Sequence, residues 1–297
     1  MEKACVLFPS FCLDAGMEIE NGETFRTWVN ELEKVSNLSI ITFKDFIDAL
    51  KSRHDFFDEM GCKASDHGIH KPYAENFSMG QVSDIFDQVM RKELVSESEA
   101  CIFKSAFLYY CGIMNYEKNW VMQYHIGPIR NNNSRMKAKL GMNAGFDSIG
   151  DVSMAKSLAK MLNRLDAENM LPKTILYNIN PRDNELFSSM AGNFPSESIP
   201  GKVQHGPSWW FLDQKNGIEQ HIESISNIGI LYEFVGMTTD SRSFLSFQRH
   251  DYFRRILCNI LGKEMEEGLI PSDPELMASY IERICYSNAK NFFGFSI

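Results

Sequence analysis

Six times along the chain a short apolar run stops at a cluster of polar, glycine-bearing residues, and a segment of helical length follows. The runs occupy residues 4–8, 62–65, 120–124, 173–177, 201–204 and 234–237, each of strand length. This alternation is a (β/α) unit repeated, the pattern of a parallel sheet covered by helices. In such folds the chemistry lies at the carboxyl ends of the strands, because their loops converge on one face above a rigid sheet. The clusters read PSFCLD, DHG, HIGPIRNNN, NINPRDN, HGPSWW and TTDSR. They single out Asp14, Asp66, His67, His125, Arg130, Arg182, His205, Trp209, Asp240 and Arg242 as candidate functional residues.

Between the runs, amphipathic spacing predicts helices. Residues 23–35 put Phe25, Trp28, Val29, Leu32 and Val35 on one face, and residues 43–57 do the same with Phe43, Phe46, Ile47, Leu50 and Phe57. Residues 80–115 read as two helices broken near Ser96, where Ser96 and Glu99 have the spacing of a capping box. Further helices are expected over 151–165, 213–228 and 249–268, and a last one over 275–293 after Pro271, Asp273 and Pro274.

With 297 residues, 44% hydrophobic and 23% charged, the chain can bury one large core, and residues 1–297 read as a single domain. Its seven cysteines, at 5, 12, 62, 101, 111, 258 and 285, contain no C-x-x-C pair, which argues against a disulfide scaffold and against clustered-thiolate zinc. No run approaches membrane-spanning length and none resembles a signal h-region, so the expected location is cytoplasmic. A net charge of −9 disfavours general attraction to nucleic acid or anionic lipid. Against that background, Arg130, Arg135, Arg182 and Arg242 all follow strand ends, where a guanidinium can hold a small anion bidentately. Pairing with Asp147, Asp183 and Asp240 is an equal alternative for any one of them.

The motifs of several common enzyme classes are missing: no G-x-G-x-x-G after a strand, no Walker lysine, no H-E-x-x-H and no G-x-S-x-G. What is left is a strand-end set of His, Asp, Arg, Asn and Trp. Such groups suit metal ligation or proton transfer, and Asn131, Asn132 and Asn133 suit sugar hydroxyls.

The strand ends themselves are distinctive. WVMQYHIGPIRNNNSRM from Trp120, GFDSIGD from Gly145, LPKTILYNINPRDNE from Leu171, GKVQHGPSWWFLDQK from Gly201 and FVGMTTDSRSFLSFQRHDYFRRILCNILG from Phe234 resemble the uronate (glucuronate) isomerase family, as does GCKASDHGI from Gly61. The resemblance covers essentially the whole chain. It implies a (β/α)8 TIM-type barrel of the metal-dependent amidohydrolase superfamily. The activity it implies is the interconversion of D-glucuronate with D-fructuronate and of D-galacturonate with D-tagaturonate.

Residue by residue, the resemblance makes Asp240 the metal-ligating aspartate of the last strand and a candidate proton carrier. Arg242 becomes a uronate contact, and His125 an orienting or acid group. Arg130, Asn132, Trp209, Arg182 and His67 fall on matching positions and form the expected substrate-binding set. The implied cofactor is a divalent metal, zinc, and the implied partner a hexuronate. Three departures stand beside these matches. The histidines, at 54, 67, 70, 125, 205, 221 and 250, include no H-x-H of the family's first strand. Cys12 and Leu13 occupy the place of a strand-end arginine and its neighbour, and His205 that of an apolar aromatic residue. With about six strand–helix units against the eight of a closed barrel, the expectation is a partial barrel lacking its first strands. The expected state is then a homo-oligomer or union with an amino-terminal segment. The competing readings are a non-catalytic or decayed sugar-acid-binding subunit and a metal-dependent hydrolase on the same scaffold.

Overall fold

The computed structural model describes residues 7–240 and 243–296. The chain forms two compact units, one from the residues up to 123 together with 154–173, the other from 124–153 together with 174 onward.

In the first unit a two-residue strand β1 (Phe11–Cys12) pairs in parallel with β2 (Ala64–Ile69), in the register Phe11 to Ser65 and Cys12 to Asp66. Two helices join them, α1 (Gly22–Ser36) and α2 (Phe43–Glu59), as the apolar stripes predict. Then come α3 (Met79–Met90) and α4 (Glu97–Glu117), followed by β3 (Val121–Ile126), whose first residues close this part of the unit. Val121 N donates to Lys63 O at 2.9 Å, which sets β3 beside the start of β2. A later helix, α6 (Ala155–Asp166), packs on α4.

Local chemistry starts these helices. Ser96 and Glu99 form the expected capping box, and Thr42 with Asp45 and Ser78 with Gln81 form two more. Each satisfies backbone N–H groups that the first turn cannot pair internally. The core between the helices is aromatic: Phe25, Phe43, Phe46, Phe86, Phe103 and Phe107 are fully buried. Phe46 lies within 5.5 to 6.2 Å, centroid to centroid, of the other five.

The second unit holds a short antiparallel hairpin that the strand repeat does not predict. Its strands are β4 (Pro128–Ile129) and β5 (Ser148–Ile149), with α5 (Ser134–Leu140) between them. Strand β6 (Lys173–Asn178) pairs in parallel with β7 (Val203–His205), with α7 (Asn184–Ala191) as the crossover. Helices α8 (Lys215–Ile228), α9 (Gln248–Glu266), α10 (Pro274–Glu282) and α11 (Asn288–Phe293) complete it.

The structure corrects three sequence expectations. First, residues 234–237 are not a strand. Gly236 has φ +73°, and a Cβ there would sit 2.0 Å from the Ile284 carbonyl oxygen, so the backbone turns where a strand would run on. Its polar groups bond to side chains instead of a ladder: Val235 N donates to Gln204 Oε1, and Asn288 Nδ2 donates to Phe234 O. Second, the last helix is interrupted by a π turn, Arg283–Ser287, which brings Asn288 to the Tyr232 and Phe234 carbonyls and Arg283 to Glu233. Third, the cluster DHG lies inside β2, not after it, because the strand runs on to Ile69. Of the first expected run, 4–8, residues 4–6 lie outside the described residues, and the strand that is present begins at Phe11.

Because Phe46 is the hub of the aromatic core, Phe46→Ala should destabilise the first unit by about 3–5 kcal/mol. Urea denaturation followed by far-UV circular dichroism measures this, and a loss below about 1 kcal/mol would mean the core can collapse around the void.

Candidate functional site

Strand β3 ends by placing His125 in the second unit, 6% exposed. Its imidazole lies flat on the Tyr177 ring, 4.2 Å between centroids and 8° between planes, with Trp209 tilted against it at 4.5 Å. Tyr177, near the end of β6, also shares a hydrogen bond with Thr238 through its hydroxyl, at 3.0 Å. Only a glycine lets β7 end beside this ring: a Cβ at position 206 would come within 2.6 Å of Tyr177.

Trp209 and Trp210 divide their work. Trp209 is 7% exposed, and its indole Nε1–H donates to Asp240 Oδ2 at 2.9 Å. Trp210, with φ +53°, turns outward, stacks on Phe211 and carries the Arg130 guanidinium 5.2 Å above its ring. Arg130, Asp147, Trp209, Trp210, Asp240 and Arg249 line one cavity of about 260 Å³. Two guanidinium groups and two carboxylates thus border a space with an indole wall. That arrangement suits a small anion carrying hydroxyl groups.

Of the arginines that follow strand ends, Arg130 faces this cavity. Arg182 is engaged with Asp183, Nε to Oδ1 at 3.2 Å, and does not border it. Asn132 is exposed and donates to the Ile129 carbonyl at 2.9 Å, closing its own turn. Arg242 lies outside the described residues. His67 belongs to the first unit, where it is fully buried and within hydrogen-bonding distance of Ser65 Oγ at 3.0 Å. Asn115 Nδ2 donates to the same hydroxyl, and His54 meets Asn115 Oδ1.

Sequence reasoning missed Arg249 and Asp213, because neither follows a strand directly. Arg249 stands in the first turn of α9, and Asp213 just before α8. Arg249 Nη1 is 2.8 Å from Asp213 Oδ2 and donates to the Thr239 carbonyl at 3.1 Å. Burial pushes the Asp213 carboxyl up to about 6 against the opposing pull of Arg249.

His205 is held at both ring nitrogens, Nδ1 by Ser188 Oγ and Nε2 by Asn178 Oδ1, each at 2.8 Å. His221 packs edge-on to it at 4.3 Å. Burial holds His205 well below the ordinary histidine range and brings His221 down to about 4, so both are neutral framework groups.

Among the described residues no three His, Cys, Asp or Glu side chains converge as a metal site would require. Asp240, the expected metal ligand, accepts the Trp209 indole N–H on one carboxylate oxygen. The donors among the described residues do not by themselves make up a divalent-metal site.

A family model described as glucuronate isomerase matches residues 1–293. The uronate isomerase of Bacteroides fragilis is 49% identical over 290 residues, which cover 97% of this chain and 62% of that protein. The uronate isomerase of Cellvibrio japonicus is 46% identical, covering 98% and 62%. In structure the chain is similar to uronate isomerase from Thermotoga maritima, with a TM-score of 0.89 at 30% identity over 96% of this chain and 61% of that one. Glucuronate isomerase from Caulobacter crescentus has the same fold, with a TM-score of 0.87 at 24% identity over 98% and 59%. The chain therefore spans 62% of the length of the Bacteroides relative.

The buried histidines generate a pH prediction. The folded-state value of His221 lies below its unfolded value, so the unfolded chain takes up a proton first, and stability is lost as pH falls from about 6.5 towards 4. His221→Gln removes that contribution. Between pH 6.5 and 4 the urea midpoint of the native protein should therefore fall relative to that of the variant; a constant difference across this range would contradict it.

Proposed function

The chain belongs to the glucuronate isomerase family, and from that membership we propose that it works in the isomerisation of hexuronates, D-glucuronate to D-fructuronate and D-galacturonate to D-tagaturonate. The observation that carries the reading is the cavity lined by both Arg130, over the Trp210 ring, and Asp240, held by the Trp209 indole.

In this reading the Arg130 guanidinium receives the substrate carboxylate bidentately, and Trp210 keeps that guanidinium in place. The open-chain aldehyde then lies towards Asp240. The Asp240 carboxylate takes the C2 proton while the carbonyl oxygen gains one, giving a cis-enediol. Return of a proton to C1 and loss of the O2 proton yield the ketose, with no external oxidant or reductant. Acid–base assistance of this kind is worth about 10²–10⁴-fold in rate. His125, buried between Tyr177 and Trp209, orients the indole that holds Asp240 and so acts as a positioning group. Arg242, two residues past Asp240, is retained as a second carboxylate contact. No step is routed through a metal, because the described donors do not assemble a site for one.

The reading takes residues 1–297 as part of one (β/α)8 barrel. Its expected partners are a hexuronate and either a second copy or polypeptide equivalent to the unmatched part of its relatives, in the cytoplasm. No described helix is long and apolar enough to cross a membrane.

The test is calorimetric titration of D-glucuronate into the purified chain, with keto-uronate formation followed in parallel, with and without zinc. Saturable binding is expected, and Arg130→Gln should weaken it by about 10–100-fold through loss of a charge-assisted contact. Asp240→Asn should leave binding within about ten-fold and abolish any proton exchange at C2, measured by deuterium incorporation. A folded chain that binds no hexuronate overturns the proposal. Binding with neither exchange nor conversion would favour the non-catalytic sugar-acid reading, and turnover of an amide or ester panel the hydrolase.

A further inference from the structure

Asp240 adopts a left-handed backbone conformation, φ +44°, which is uncommon for a residue with a side chain. Among the described residues, two contacts bear on it. One is on the side chain, from the Trp209 indole to Oδ2. The other is on the backbone one residue earlier, where Arg249 donates to the Thr239 carbonyl. Arg249 is itself fixed by Asp213, whose side chain is only 3% exposed. Trp209 and Asp213 belong to one short stretch of chain. It is closed into a 3-10 turn, Trp210–Leu212, by Leu212 N to Trp209 O at 3.0 Å and Asp213 N to Trp210 O at 3.2 Å. Both contacts therefore lead back to the same rigid turn.

We propose that residues 209–213 form a two-point clamp on Asp240, in which Arg249, braced by Asp213, is a positioning residue for the isomerisation. The inference rests on the functional reading above for what the clamp is for, though not for its geometry. The indole orients the carboxylate and the guanidinium fixes the peptide that carries it, so the proton-accepting oxygen is aimed before substrate arrives. Arg249 borders the cavity but acts through Thr239, whereas Arg130 meets the substrate anion directly.

The experiment follows the Trp209 indole N–H by nitrogen-15 NMR in the purified chain, with the indoles of Trp28 and Trp120 as internal controls. Arg249→Ala should move the Trp209 signal and speed its hydrogen exchange by about ten-fold or more, leaving the controls in place. Because that variant leaves Asp213 buried without its counter-charge, the paired change Arg249→Ala with Asp213→Asn is measured beside it. It removes both charges and should give the same indole response. Arg249→Lys, which keeps a cation but not the fork, should restore part of the native signal. Affinity for D-glucuronate supplies the second readout: Arg249→Ala should leave it within about ten-fold, as Asp240→Asn does, and so well short of the loss from Arg130→Gln. An unchanged Trp209 indole in the folded variants overturns the clamp. A loss of affinity as large as that of Arg130→Gln also overturns it, because it would mean that Arg249 binds the anion itself. If the native chain binds no D-glucuronate, the functional reading fails, and the indole signal still decides the clamp.

Discussion

The hydrogen bond from Trp209 Nε1 to Asp240 Oδ2, 2.9 Å long, joins a buried ring to an exposed carboxylate. Much of the second unit can be understood from what that bond requires. Trp209 must be held in one orientation, which the stacked pair of His125 and Tyr177 provides. Tyr177 in turn needs space at the end of β7, which the missing side chain of Gly206 leaves open. The segment that ends in Asp240 must approach without being a strand. Gly236 allows that by its left-handed turn, and Gln204 and Asn288 by satisfying the segment's backbone groups from the side.

Two kinds of buried polar group support this arrangement in different ways. His205 and its neighbours Ser188, Asn178 and Ser224 form a neutral network in which both imidazole nitrogens have partners. Such a network rigidifies the strand ends without placing charge in the core. Asp213 and Arg249 instead place a charged pair under the edge of the cavity, and burial raises the carboxyl even with its partner present. A charged pair of this type does little for net stability and much for geometry, because only one arrangement satisfies it. The first unit has a different basis, with aromatic packing around Phe46 and capping boxes at three of its helices.

The resemblance implies a metal, yet among the described residues only Asp240 stands where a ligand is expected, and no group of three potential ligands forms. Arg130, Trp209, Trp210 and Asp240, on which the proposed anion binding and proton transfer rest, are brought to one cavity by the second unit.

What the sequence determined by itself was local or periodic. The capping box at Ser96 and Glu99 was legible because its partners are three residues apart, and the buried face of α2 because its spacing repeats every turn. The family was legible too, since long strand-end motifs carry it. Only the tertiary structure decided the choices among equal candidates. Arg130 and Arg182 both follow strand ends, but an adjacent Asp183 takes one while the Trp210 ring presents the other to a cavity. Trp209 and Trp210 are neighbours in sequence, and a left-handed turn at Trp210 sends one inward and the other out. Residues 234–237 have the composition of a strand, yet a strand exists only when a neighbour accepts its ladder, and there side chains do so instead. Arg249 and Asp213 lie 36 positions apart with no shared motif, and their pairing depends on how α8 and α9 pack, a contact between elements that no local pattern encodes.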